Sequence, residues 1–330
     1  MHRYIVLLLI LCTSFSFAQQ EKYTKYLKNA LAGLDNGNVI TVSENLKFFA
    51  AAVEKDNLIP EKLSNSNLEL FTIVLYESSL IDVPIDEDIK NKIILFLSYN
   101  AMKSPNQMVA LGSVYLKGSA NYENWQKAVF WLKEAAKHDN PTAYYNLGYA
   151  YSQFTDHQDF VKALEYYSMA SEKGISNANY AAGFLFENQI KDYKKARYWF
   201  LKGADGGDYV AMFALANLFF NGQGGIKDYQ KSLYWYTKSS DKGYTKASAM
   251  VGYQYQTGMG TEVNIDEAEK YYLLAAQEDN IAAILNLSLL YSDDSSRKFN
   301  LTKAIFWAKK GCNLNDHNSC EQLKQLENEK

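Results

Sequence analysis

The sequence predicts an all-α fold, a solenoid of about six helix pairs, and three residue registers carry that prediction. A small residue recurs about every 36 positions, at Gly112, Gly148, Gly183, Ala216, Gly252 and Ser288, a period in the range of helical-pair repeats. Three residues after each stands an aromatic: Tyr115, Tyr151, Phe186, Phe219, Tyr255 and Tyr291. A second small-residue register, Ala128, Ala163, Ala196, Ser232, Ala268 and Ala304, is followed three residues later by Trp131, Tyr166, Trp199, Trp235, Tyr271 and Trp307. Four residues before each of these small residues lies Asn124, Asp159, Asp192, Asp228, Asn264 or Asn300. Spacings of three and four place residues on one helical face, and Asn or Asp ahead of such a face reads as an N-cap. Each unit is therefore two helices.

In chain order, residues 1–18 read as an export leader. His2 and Arg3 form a short positive region, Ile5 to Leu11 an apolar core, and Ser16-Phe17-Ala18 a small-x-small cleavage site, so the mature chain begins near Gln19. Leu11 precedes Cys12 where a lipid-anchoring signal would place a small residue. Residues 19–105 fit the repeat poorly but keep helical periodicity: Tyr23, Tyr26, Leu27, Ala30, Leu31 and Leu34 share one face, as do Val42, Leu46, Phe49 and Val53. They are expected to form irregular helices that extend and cap the solenoid, or a separate domain with Pro84 to Asp88 as its loop.

The repeats are expected over 106–140, 141–175, 176–207, 208–243, 244–279 and 280–315. Their first helix carries Ala-x-x-x-Leu-Gly-x-x-Tyr, clearest at Ala143, Leu147, Gly148 and Tyr151 and again at Ala247, Val251, Gly252 and Tyr255. Glycine inside a helix costs about 0.5 to 1 kcal/mol against alanine, so its recurrence implies close helix approach. The cap of each second helix is followed by an apolar residue, Trp125, Phe160, Tyr193, Tyr229, Ile265 or Leu301, and then Lys127, Lys162, Lys195, Lys231 and Lys303 recur on a face expected to be solvated. The glycines of Asn221-Gly222-Gln223-Gly224-Gly225 and Gly258-Met259-Gly260 follow no strand, so they read as turns with positive φ rather than as a phosphate cradle. Gly174, Gly207 and Gly243 read as helix C-terminal caps. Residues 316–330 are expected to form a polar helix covering the end of the stack.

Composition excludes several classes. The chain has 34 basic and 37 acidic residues, and loss of Arg3 with the leader leaves 33 against 37, a net charge of −4 without blocks of either sign. Nucleic acid is not an expected partner, because phosphate binding needs a concentrated basic surface. No stretch after the leader reaches the roughly 18 to 20 apolar residues of a membrane helix. His138, His157 and His317 remain after the leader, and none stands in a His-Glu-x-x-His arrangement. No catalytic residue, cofactor or metal is expected. Cys312 and Cys320 are eight residues apart across a helix-to-helix turn. In an exported chain they are expected to form a disulfide.

Taken with its Gly-rich turn, its Asp, and the following Lys-Ala-x-x-Tyr-Tyr-x-x-Ala, this pattern resembles the Sel-1-like repeat, a relative of the tetratricopeptide repeat, over about residues 106 to 315. The resemblance implies a right-handed superhelix. The fourth repeat departs with Ala216 for Gly and Ser232 for Ala, the second lacks glycine in its turn from Gln153 to His157, and the third has a shorter turn. The ending from Gly311 to Cys320 is similar to the disulfide turn of the cysteine-rich exported branch of that family.

The resemblance also implies a concave groove lined by first helices, at positions two before and two after the Leu column: Tyr145 and Tyr149, Tyr180 and Phe184, Phe213 and Asn217, Ala249 and Tyr253. Aromatics give large contact area at low entropy cost, so a protein or peptide is the expected ligand. The expected role is a non-catalytic scaffold in the cell envelope, periplasmic or extracellular. Alternatives are a β-lactam-binding or hydrolysing enzyme, as associated with the cysteine-rich branch, and a passive structural component of the envelope.

Overall fold

The computed structural model describes residues 104–117 and 122–328, with a few helical positions between 25 and 48. The leader, most of residues 19–105 and the loop from Pro84 to Asp88 lie outside the described residues. Of the N-terminal apolar face, Tyr26, Leu27 and Ala30 are described; Leu27 and Ala30 are buried and Tyr26 is half-buried.

The chain divides into two compact units, Met1–Ile175 and Ser176–Lys330. The first holds α1 (Pro105–Lys117), α2 (Tyr122–Ala136), α3 (Pro141–Gln153) and α4 (Phe160–Glu172). The second holds α5 (Ser176–Leu185, continued as a π-helix over Phe186–Ile190), α6 (Tyr193–Asp205), α7 (Tyr209–Asn221), α8 (Tyr229–Asp241), α9 (Thr245–Thr257), α10 (Ile265–Ala276), α11 (Ile281–Ser292), α12 (Leu301–Asn313) and α13 (His317–Asn328). Within each unit every helix packs against the next along the chain, as in an αα-solenoid, and the described residues form no strand. Odd-numbered helices up to α11 are the first helices of repeats; even-numbered ones are the second.

The small-residue column is a row of holes filled by side chains four residues beyond the second small column. A Cβ on Gly148 would stand 2.6 Å from the Tyr167 ring, on Gly183 2.5 Å from Phe200, on Gly252 2.7 Å from Tyr272, and on Gly112 2.6 Å from Leu132. Phe200, Leu132, Tyr236 and Tyr272 are completely buried. The fourth repeat tolerates Ala216, which joins Tyr236, Ala247 and Val251 in one apolar cluster. In the sixth repeat both partners are small: the knob position is Ala308, and Ser288 donates its hydroxyl to the Ala304 carbonyl at 2.9 Å.

Five of the six expected N-caps are in place. Asp159, Asp192, Asp228, Asn264 and Asn300 each accept, through the side chain, from an N–H of the first turn they precede. Asn124 is a correction, because α2 begins two residues earlier at Tyr122 and Asn124 lies inside its first turn. Each of the five caps also donates its own backbone N–H to the first-helix aromatic column, to the carbonyls of Tyr151, Phe186, Phe219, Tyr255 and Tyr291, at 2.8 to 3.0 Å. The two columns are thus one fixture that closes the helix pair.

The lysine column is more engaged than a solvated face requires. Lys127, Lys162, Lys195, Lys231 and Lys303 each hold their Nζ over the first-helix aromatic of their own repeat, at 4.8 to 5.7 Å from the ring centre. Such contacts contribute about 0.5 to 1 kcal/mol each at exposed sites. Lys162, Lys195 and Lys231 also pair with the cap aspartate three residues before them.

The expected helix-end glycines adopt positive φ, at Gly174, Gly207 and Gly243. Asp139, Asp279 and Asn315 take the same left-handed position in the other repeats. After each, an N–H reaches back five residues to a helical carbonyl where the bond is formed, as from Ile175 to Ala170 and from Asp316 to Gly311. The turn glycines Gly222, Gly224, Gly258 and Gly260 are also left-handed. Gly224 and Gly260 have a second reason to lack a side chain. A Cβ there would stand 2.3 Å from the Tyr193 carbonyl oxygen and 2.4 Å from that of Tyr229, where the turn crosses the second helix of the preceding repeat.

Repeat four's Ser232 is answered by a completely buried glutamine: the serine hydroxyl donates to Gln254 Oε1, and Gln254 Nε2 donates to the carbonyls of Tyr229 and Met259. At the C-terminal end α13 covers α11 and α12, with Leu326 buried among Leu287, Leu290 and Ala308. Cys312 and Cys320 have Cα atoms 4.5 Å apart and their sulfurs at bonding distance, tying α12 to the start of α13.

Candidate functional site

The candidate site in the second unit lies on the first helices α5, α7 and α9, where the knobs emerge. Tyr180, half-buried, leans on the Phe200 knob at 5.8 Å and on Phe184 at 6.2 Å between ring centres. Phe184 itself is exposed. Phe213 is half-buried, 5.4 Å from the Tyr236 knob and 5.2 Å from Tyr244. Asn217 accepts the Tyr236 hydroxyl, and Tyr253 packs on Phe220 at 6.4 Å. Ala249 is buried. In the first unit, Tyr145 leans on the Tyr167 knob at 5.7 Å, and Tyr149 is exposed.

The seven aromatic and amide positions expected to line a groove therefore split into two kinds. Tyr149 and Phe184 present open rings, 44% and 38% exposed, while Tyr145, Tyr180, Phe213, Asn217 and Tyr253 are half-buried and double as packing for the knobs. Burial raises the Tyr180 phenol, with smaller contributions from Tyr244, Glu187 and Asp208. Burial likewise pushes the knob phenols of Tyr167, Tyr236 and Tyr272 well above the usual tyrosine range.

Sequence reasoning missed three participants. The rings of Tyr209, 44% exposed, and Tyr244 meet at a tilt with centres 5.5 Å apart, beside Phe213. Tyr244 had a visible signal: it occupies the N-cap of α9, where α3, α7 and α11 carry Asn140, Asp208 and Asn280. It makes no side-chain capping bond and gives its ring to Tyr209 and Phe213 instead. A local rule broken in this way is a mark of selection for something other than helix stability. The third is Glu187, a carboxylate in the π-helical end of α5.

His157 packs against the Trp125 ring at 4.4 Å, and His317 faces Glu321 at 3.2 Å on the exposed side of α13. Among the described residues no three His, Cys, Asp or Glu side chains are grouped to hold a metal ion, and no helix is long and apolar enough to cross a membrane.

Comparison with known proteins places this geometry. Six consecutive segments, 108–140, 141–175, 176–208, 210–244, 245–280 and 281–316, match the Sel1 repeat. A sel1-like repeat-containing protein of Acanthamoeba polyphaga mimivirus is 30% identical over 89 residues, which are 27% of this chain and 16% of the viral protein. Among solved structures, a protective antigen of uropathogenic Escherichia coli with an SLR fold superposes with a TM-score of 0.61 at 21% identity, covering 93% of this chain and 63% of the antigen. A Sel1 repeat protein from Oxalobacter formigenes gives 0.54 at 25% identity, covering 68% of this chain and 94% of the other. The chain thus spans under two thirds of the first of these structures and a sixth of the viral relative.

Proposed function

The chain belongs to the Sel1 repeat family, a fold of protein-interaction scaffolds, and from that premise we propose that it is an exported, non-catalytic scaffold that holds a protein or peptide against the aromatic face of its first helices. The observation that carries the reading is the aromatic run Tyr180, Phe184, Tyr209, Phe213, Tyr244 and Tyr253 on α5, α7 and α9, where rings beyond those needed to fill the core are left open. Rings in tilted and edge-on contact with one another and with the core are held in place, so a ligand meets apolar surface already ordered. Export follows from the leader over residues 1–18 and is consistent with the cysteine pair. The site of action is then the periplasm or the cell exterior, with an adaptor or assembly role in the cell envelope.

The test is selection of peptides from a phage-displayed random library on the full chain, followed by affinity measurement with wild type and a Phe184→Ala, Tyr209→Ala variant. Both alanines replace exposed rings, so the helical circular dichroism should be unchanged while affinity falls at least about tenfold, the loss of one hot-spot ring. Equal affinity in the variant would move binding away from this face.

A further inference from the structure

One position of this face departs from its repeats in chemistry as well as in shape. Across the first helices of the second unit, α5 with its π-helical end, α7, α9 and α11, the only charged residues are Glu187 and Lys246. The face is otherwise neutral, and its one acid sits in the third repeat.

Glu187 lies four residues beyond Gly183, in a column completed by Ser152, Phe220, Gln256 and Ser292. Where the knob is a tyrosine, this column can meet its hydroxyl: Ser152 Oγ is 3.2 Å from Tyr167 Oη, and Gln256 Oε1 accepts from Tyr272 Oη at 2.7 Å. In the third repeat the knob is Phe200, which has no hydroxyl to offer. The carboxylate of Glu187 is half-buried and, among the described residues, accepts from the side-chain amide of its neighbour Asn188 at 3.5 Å, the outer limit of a hydrogen bond. Lys191, four residues later at φ 62°, also acts on the carboxylate by its charge. Burial raises the Glu187 carboxyl above its ordinary range, with Asn188 and Lys191 opposing that shift incompletely.

Phe184 and Tyr180 stand three and seven residues before Glu187, on the same side of the helix, and the carboxylate is close enough to act on the Tyr180 phenol. A half-buried carboxylate next to an open aromatic face has a natural complement. A cation gains the charge pairing at an effective dielectric well below that of water, and its flanking methylenes or guanidinium plane cover the Phe184 ring. A neutral or acidic side chain brought there would strip water from Glu187 and give nothing back.

We propose that the third-repeat segment of the face, Tyr180, Phe184 and Glu187, seats a lysine or arginine side chain of the bound peptide. This inference rests on the aromatic face being the binding face, and the experiment separates the two. A peptide selected on the wild type is synthesised with its basic residue and with that residue replaced by methionine, and both are titrated by fluorescence anisotropy against wild type, Glu187→Gln and Phe184→Ala, Tyr209→Ala. The basic peptide should bind wild type about three- to tenfold better than its methionine form, and Glu187→Gln should abolish that difference while still binding the methionine form. Glu187→Lys should reverse the preference toward a glutamate-bearing peptide. Equal binding of the two peptides by wild type, or a preference that survives in Glu187→Gln, would overturn the basic seat and leave the face itself intact. Failure of the double alanine variant to weaken either peptide, or recovery of no peptide at all, would overturn the face and the seat together.

Discussion

The ring of Tyr167 occupies the volume a side chain on Gly148 would need, with the two so close that a Cβ would stand 2.6 Å from Cδ1. The contact joins the two helices of the second repeat, and its equivalents join Gly183 to Phe200 and Gly252 to Tyr272.

Gly148→Ala should therefore destabilise the protein by about 1 to 3 kcal/mol through overpacking, although alanine gains about 1 kcal/mol in helix propensity. Urea unfolding measures the loss. Tyr167→Ala alone should cost about 3 to 5 kcal/mol, and the double variant should cost less than the sum, since the cavity left by the ring takes the added methyl. Strict additivity would mean that the two residues are not energetically coupled.

Gln254→Leu removes one side chain from three partners: the Ser232 hydroxyl and the carbonyls of Tyr229 and Met259. Each buried group left without a partner costs about 1 to 3 kcal/mol, so a total loss of at least about 3 kcal/mol is expected in chemical denaturation. Adding Ser232→Ala should restore part of it by deleting one orphan.

The acid response should centre on the join between α10 and the turn before α12. Burial would raise the Glu269 carboxyl, but bonds from Lys298 and the Tyr291 hydroxyl, with the charge of Lys298, outweigh it and hold the group below the usual glutamate range. A carboxyl depressed in the folded state contributes stability above its unfolded value and loses it as pH falls through the folded value. Thermal melts should thus fall on acidification below the ordinary glutamate range. Glu269→Gln should start about 1 kcal/mol lower at neutral pH and fall less steeply, a comparison read directly from midpoints across pH.

Loss of the Cys312 to Cys320 link, by Cys312→Ala with Cys320→Ala, should cost about 2 to 3 kcal/mol and speed amide exchange in α13 before any change in α7 or α8. The pair closes a short loop across the turn, so the effect is confined to the end that α13 covers. A melting midpoint unchanged by the double variant would show that packing of Leu326 alone holds the cap.

Caps, helix-end glycines and the two helices of each repeat were legible because each is decided within a few residues and then restated repeat after repeat. Asp159 and Asp228 announce α4 and α8 whatever lies around them, and Gly174 and Gly243 mark where those helices stop. The misses share another origin. The cap at Asn124 depends on where a preceding turn leaves the chain; the lysine column is exposed as expected, but the rings it lies over come from a different helix.

The sequence by itself determined the all-α class, the repeat boundaries and the families of small, aromatic and capping positions, because those follow from periodicity and short-range hydrogen bonding. Only the tertiary structure decided what fills each small-residue hole, that Tyr149, Phe184 and Tyr209 stay open while Tyr145, Tyr180 and Phe213 serve the core, and that Phe200 leaves Glu187 without the hydroxyl its column can meet elsewhere. These choices rest on side chains that lie on different helices, and their energies arise from packing across the pair, which no window of neighbouring residues contains.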